Sequence, residues 1–126
     1  MPLRKETTTW FGVVLDSPDA SELAHFYARL LDWEVFTDTP QWATVAPSKE
    51  AGYNLGFQRE ERYVRPTWPS RDGEQLMMLH LDLQVDDLTE AVRHAVEAGA
   101  EVPDFQPQDD VRVLLDPAGH PFCLYL

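Results

Sequence analysis

Gln75–Asp87 reads QLMMLHLDLQVDD, and the fold turns on how this stretch is read. With a period of two, Met77, Leu79, Leu81, Leu83 and Val85 fall on one side, and Met78, His80, Asp82, Gln84 and Asp86 on the other. Such alternation predicts a half-buried strand with one packed face and one wetter face. The wetter face carries His, Asp and Gln in succession, so a site is expected on the His80 side. Asp87 with Glu90 three residues later predicts a helix start, the Asp carboxylate capping it. Leu88, Ala91, Val92, Ala95 and Val96 give that helix an apolar stripe, and Gly99 is placed to end it.

The same phrase occurs upstream. Trp10–Asp16 (WFGVVLD) alternates as a strand, Ser17-Pro18 breaks it, and Asp19 with Glu22 repeats the cap. Leu23, Phe26, Tyr27, Leu30 and Leu31 then form a helix stripe. Trp33–Thr37, Gln41–Ala46 and Tyr53–Gln58 are β-rich, the last after a turn at Gly52. In the second half Ala100–Val102, Val111–Asp116 and Phe122–Leu126 take the corresponding places, the last after Asp116–Gly119 (DPAG). A shift of 68 residues lays Asp19 on Asp87 and Glu22 on Glu90; a shift of 67 lays Glu34-Val35 on Glu101-Val102 and Gly52 on Gly119. Two matching phrases predict a duplicated βαβββ module, hence an α+β fold of eight strands and two helices. The boundaries are a single domain over 1–126, with module 1 at about 8–58, a connector at about 59–75 and module 2 at about 76–126. The connector, REERYVRPTWPSRDGE from Arg59, is aperiodic and holds four arginines and two prolines.

The 126 residues suffice for one ordinary core, and 44% hydrophobic with 25% charged residues is a globular balance. A net charge of -12 argues against nucleic-acid binding, since phosphates would be repelled. No apolar run approaches a membrane span, and the N-terminus has no apolar core of a secretory signal. One cysteine excludes an internal disulfide framework and fits a reducing cytoplasm, the expected location.

With the order of elements and the phrases HLDLQVDDL and LLDPAGHPFCLYL in view, the chain resembles the vicinal-oxygen-chelate superfamily. Within it, the chain resembles the glyoxalase-like group, alongside bleomycin resistance proteins and dioxygenases. The likeness runs from about Trp10 to Leu126. It implies paired βαβββ modules forming an incomplete barrel around a cavity, within a homodimer. In the metalloenzyme members a divalent metal is held from the first and last strand of each module. The first-strand position is His80 in the second module and Gly12 in the first. The last-strand position is Cys123 and Gly56 respectively. One His and one Cys do not complete a set of three protein ligands. A divalent metal held in the family manner is therefore not expected; if any metal binds, His80 is its ligand, with Asp82, Gln58 or a partner chain as possible supplements.

Two further chemistries are open. Cys123 and His80 are candidates for a thiolate–imidazole nucleophile, against the plainer reading of Cys123 as a small buried hydrophobe. The leading expectation is small-molecule binding without the full metal set, sequestering a drug or metabolite. Its candidate ligand-binding residues are His80, Asp82, Gln84, Arg112, Cys123 and Tyr125, joined by Gln58, Trp42 and Trp68. Arg112 is expected either to hold an anionic group or to pair with Asp82 or Asp110 in the sheet. Trp68 is expected either to cover the cavity mouth or to pack the connector. The competing reading is a metal-dependent lyase or dioxygenase of the glyoxalase type, with an altered site that includes His80; no catalytic residue is assigned. His25 and His94 fall within helices, and His120 is expected to shape the turn after Gly119.

Overall fold

The computed structural model describes residues 2–126. Their order is β1 (Phe11–Ser17), α1 (Ala20–Leu31), β2 (Glu34–Asp38), β3 (Trp42–Ala46), β4 (Tyr53–Arg59), β5 (Leu81–Gln84), α2 (Leu88–Ala98), β6 (Val111–Leu115) and β7 (Pro121–Tyr125). Between Glu61 and Arg62 the chain divides into two compact units, each a mixed sheet with one helix. The class is α+β, built from two related units, βαβββ and βαββ.

Both helices begin as their caps dictate. Asp19 and Asp87 sit in extended backbone, and their Oδ1 atoms accept the N–H of Glu22 at 3.1 Å and of Glu90 at 3.0 Å. In the first unit the stripe of α1 buries Leu23, Phe26 and Tyr27. Tyr27 stacks on Phe57 of β4 at 5.6 Å between centroids, and Phe26 meets Tyr27 edge-on at 4.9 Å. Burying such rings supplies several kcal/mol, on the order of 25 cal/mol per Å2 removed from water. The smaller stripe of α2 buries Ala95 and Ala98, beside a core of Leu114, Phe122 and Leu124.

The sheet orders are β1-β4-β3-β2 and β5-β7-β6, and in each the first strand runs parallel to the last. The repeat holds at the level of register. Val14 faces Gly56 across β1 and β4, and Asp82 faces Cys123 across β5 and β7, the pairs that the shifts of 68 and 67 superpose.

Two expectations need correction. First, the described residues hold seven strands, because Ala100–Val102 is reduced to a single bridge between Glu101 and Leu115. Pro103 follows and has no N–H to extend a ladder. The side chain of Gln106 takes over: its Nε2 donates to the Val113 carbonyl at 2.9 Å and its Oε1 accepts the Val113 N–H at 2.8 Å. An amide side chain thus stands in for the missing strand. Second, the alternation read from Met77 does not become strand until Leu81. Met78 has a φ of 66°, and the Leu79 N–H turns back to the Met77 carbonyl at 2.7 Å, leaving both side chains half exposed or more. Across from His80, β7 begins with Pro121, which offers no donor to a longer β5.

The segment after Arg62 packs as part of the second unit. The Tyr63 hydroxyl donates to the Ala118 carbonyl at 2.6 Å, and Arg65 reaches the Pro117 carbonyl at 3.2 Å and Glu101 at 3.1 Å. No helix among the described residues is long and apolar enough to cross a membrane.

Candidate functional site: a pocket on the second sheet

The pocket is built by two rows of alternating side chains. On the helix side of the second sheet lie Phe122 and Leu124 of β7, with Leu114 and Arg112 of β6 directly opposite them in register. The other face carries Asp82 of β5, Cys123 and Tyr125 of β7, and Val113 and Val111 opposite those two. His80 is two residues before Asp82 and shares its side. Over this face opens a cavity of about 490 Å3, closed around by Trp68, Pro107, Gln108, Asp110 and Leu126. Trp68 is held there by its Nε1, 3.4 Å from the Phe105 carbonyl, with the two rings 5.9 Å apart.

Asp82 is the hub of the polar floor. Its Oδ1 lies 3.1 Å from His80 Nε2, and the Cys123 thiol stands beside the same carboxylate. Partial burial, then the negative charge of Asp82 and hydrogen bonding to it, push the Cys123 thiol above its ordinary pKa. Asp82 thus stands beside both members of the expected thiolate–imidazole pair. One donor atom from each of His80, Asp82 and Cys123 lies within 4.8 Å of the others.

Five of the residues singled out from the sequence line this cavity: His80, Asp82, Cys123, Tyr125 and Trp68. Gln84 pairs in register with Tyr125 but lies outside the lining and is exposed. Arg112 is on the opposite face, because it pairs directly with Leu124. Its Nη1 donates to the carbonyls of Gln108, Asp109 and Val111, so it meets neither an anion in the pocket nor Asp82 or Asp110. Val111 and Val113 take the places on the pocket wall instead. They went unassigned because VRVLL is apolar in both phases, so its alternation names no face. Gln108 and Asp110 stand on a loop with no periodic signal at all.

Trp42 and Gln58 belong to the first unit, where they face one another across β3 and β4. Gln58 Nε2 approaches Asp16 Oδ1 at 3.4 Å. A Cβ at Gly56 would come 2.8 Å from Trp42 Cη2, and one at Gly12 would come 2.6 Å from Asn54 Oδ1. Asn54 Oδ1 also accepts the Trp10 Nε1–H at 3.1 Å. The space that side chains at Gly12 and Gly56 would take is thus already occupied by an indole and an amide. Neither glycine offers a donor, and these residues do not fit the two-module metal set that the resemblance implies.

Two related helix-and-sheet units in one chain, with a polar-floored cavity on the helix-free face of the second, are the paired-module architecture. The sequence profile of the glyoxalase-like domain matches residues 12–125, and the chain belongs to that family. Solved structures of the same fold include a glyoxalase/bleomycin resistance protein/dioxygenase family enzyme from Burkholderia phytofirmans PsJN, with TM-score 0.66 and 15% identity over 93% of this chain and 97% of that one. A glyoxalase family protein from Enterococcus faecalis has TM-score 0.64 and 19% identity, covering 91% and 94% of the two chains. A fosfomycin resistance protein from Mesorhizobium loti has TM-score 0.62 and 10% identity, covering 97% and 92%. At these identities the likeness is one of fold. No curated protein matches the sequence.

Proposed function

We propose that this is a cytoplasmic small-molecule-binding member of the glyoxalase-like family, working as a homodimer without the family's two-module metal set. The observation that carries the reading is the second-unit cavity, with apolar and aromatic walls above three convergent polar groups. A few fixed polar groups in a mostly apolar concavity are what a small organic ligand needs. The names of the structural neighbours, with their bleomycin and fosfomycin resistance, agree with capture of a drug or metabolite.

The lining also bears on ligand class. Asp82 and Asp110 line the cavity, and Arg112 faces away with its Nη1 on backbone carbonyls. A flat molecule carrying an amine or other hydrogen-bond donor suits such a site; an anionic one is repelled. Trp68 and Tyr125 offer ring faces to stack on it.

The test is a thermal-shift and calorimetric screen of aromatic amines against matched aromatic carboxylates. A binder at a hundred times its Kd stabilises by about 2.7 kcal/mol, several degrees in Tm. Amines are expected to stabilise the wild type, with the effect reduced at least about tenfold in affinity by Asp82→Asn or Trp68→Ala. Stabilisation by carboxylates alone, or by nothing in either set, overturns the reading. Light scattering on the same sample checks the dimer.

A further inference from the structure

We propose that Tyr63 and Arg65 are positioning residues of the second-unit pocket. Clasped on the turn at 116–119, they hold residues 64–79 as a strap and set Trp68 as the pocket's wall. The inference rests on the pocket reading and deepens it: it names what keeps the wall in place, whichever ligand enters.

The strap lies between β4 and β5 and belongs to no sheet. Its backbone-to-backbone hydrogen bonds stay inside the segment: Thr67 N–H to the Gln75 carbonyl at 2.9 Å, Glu74 to Arg71 at 3.3 Å and Leu79 to Met77 at 2.7 Å. A segment without ladder bonds to its surroundings opens at little cost unless side chains hold it. Here side chains make the outward bonds. The Tyr63 hydroxyl donates to the Ala118 carbonyl at 2.6 Å, just before the strap begins. Arg65 Nη1 and Nη2 donate to the Pro117 carbonyl at 3.2 Å and to Glu101 at 3.1 Å. The bond from Trp68 Nε1 to the Phe105 carbonyl, at 3.4 Å, is longer than an ordinary N–H···O contact. The stronger anchor is therefore the clasp, and the Phe105 contact steadies what the clasp has placed.

The turn is shaped to receive this arginine. Gly119 has a φ of 90°, and a Cβ there would come 2.4 Å from Arg65 Cγ and 2.6 Å from its Nε. The stem of Arg65 thus lies directly on the glycine, where a side chain would lift it away. The same turn joins β6 to β7, the strands that bring Val113, Cys123 and Tyr125 to the pocket. Floor and wall hang on one anchor. Trp68 follows Arg65 by three residues, which span at most about 11 Å of extended chain. Fixing Arg65 therefore confines the indole to the neighbourhood of the cavity, and releasing it frees the wall without touching the floor.

The test needs no ligand. The full chain is labelled with fluorotryptophan, and the Trp68 fluorine resonance is assigned by its loss in Trp68→Phe. Trp10, Trp33 and Trp42, all in the first unit, serve as internal controls. In Arg65→Ala the Trp68 line is expected to narrow, and its shift between water and heavy water to rise about twofold, toward that of a free indole. Adding Tyr63→Phe is expected to carry the change further. The other three lines stay in place, and amide exchange in the β6–β7 ladder stays within about twofold of the wild type. Arg65→Lys, which keeps a stem on Gly119 and one charged donor, is expected to restore much of the wild-type line. An unmoved Trp68 line in folded Arg65→Ala overturns the proposal. So does a moved line accompanied by lost protection in the ladder, which would make Arg65 a support of the whole sheet. Either result leaves the pocket reading standing, and a failed amine screen leaves the Trp68 readout intact, so the two failures are told apart.

Discussion

The two units place one backbone plan under different side chains. Val14 and Gly56 pair in the first as Asp82 and Cys123 pair in the second. Trp42 faces Gln58 where Val111 faces Tyr125. In the first unit the indole of Trp42 lies over Gly56, and a cavity of about 110 Å3 opens beside Trp10 and Asn54. In the second, the valine leaves the space open and the cavity reaches about 490 Å3. Strand pairing therefore fixes where a site can be, and a handful of side chains on the helix-free face decides whether it opens. The helix face, which carries the core, is nearly indifferent to that choice.

The largest break in the comparison is expected at Asp116. The turn before β7 rests on this carboxylate, which is 1% exposed and accepts the N–H groups of Ala118 at 2.9 Å and His120 at 3.0 Å. His120 Nδ1 adds a third bond at 2.8 Å. In the first unit the corresponding turn closes on backbone alone, Ala51 N–H to Ser48 carbonyl at 3.4 Å. Asp116→Ala leaves two shielded donors without their acceptor and is expected to cost about 3 kcal/mol in urea denaturation. A loss below about 1 kcal/mol would mean that solvent reaches those amides and that the two turns are alike.

The caps sharpen the likeness instead. Asp19→Ala and Asp87→Ala each remove one side-chain acceptor from a helix N-terminus, and each is expected to cost about 1 kcal/mol. Penalties that differ by more than about 1 kcal/mol would show that the repeat is one of pattern and not of energetics. A smaller term is the contact between Trp42 and Gly56. Gly56→Ala forces the ring to shift, at about 1 kcal/mol, and Trp42→Val relieves it. A double-mutant cycle is expected to return most of that energy as coupling; zero coupling would place the ring elsewhere in solution.

How much of this was legible depends on whether a residue's role is written in its own neighbourhood. The duplication was, because Asp-x-x-Glu caps and helix stripes are local patterns that a shift of 68 residues lays on one another. So was the side-by-side placement of His80 and Asp82, since strand alternation needs no tertiary knowledge. That Cys123 stands level with Asp82, where the sequence reading sets it beside His80, is a matter of strand register that aligning the repeat does not supply. Arg112 was unreadable in phase, because both faces of VRVLL are apolar apart from the arginine itself. Met78 hid the late start of β5, because the alternation of apolar residues carries on through a backbone that has left the strand. The substitution of Gln106 for a strand depends on a partner seven residues away meeting a truncated edge, which no local pattern encodes.

The smallest expected effect concerns how each helix is pinned to its sheet. Ser21 and His25, one turn apart on α1, both bind Asp38 at the end of β2, with His25 Nε2 2.8 Å from Asp38 Oδ2. Their counterparts on α2 at the shift of 68 are Thr89 and Arg93, and Arg93 pairs within its own helix with Glu90 and Glu97. The second unit has lost the strand that would supply a partner. The Ser21 hydroxyl first, and His25 after it, hold the Asp38 carboxyl below its ordinary value of 3.8. A carboxylate depressed in the folded state contributes stability above its unfolded pKa and loses it as pH falls through the folded one. The Asp38 contribution to the pin on α1 is thus expected to weaken under acid below about pH 3.8, and, being exposed, to weaken further with added salt. Carboxyl NMR titration checks this. Ser21→Ala is expected to move the Asp38 midpoint up toward 3.8 by more than removal of His25 does. An unshifted midpoint in the wild type would show that the helices of both units are held by their apolar stripes alone, and that the units differ only across their sheets.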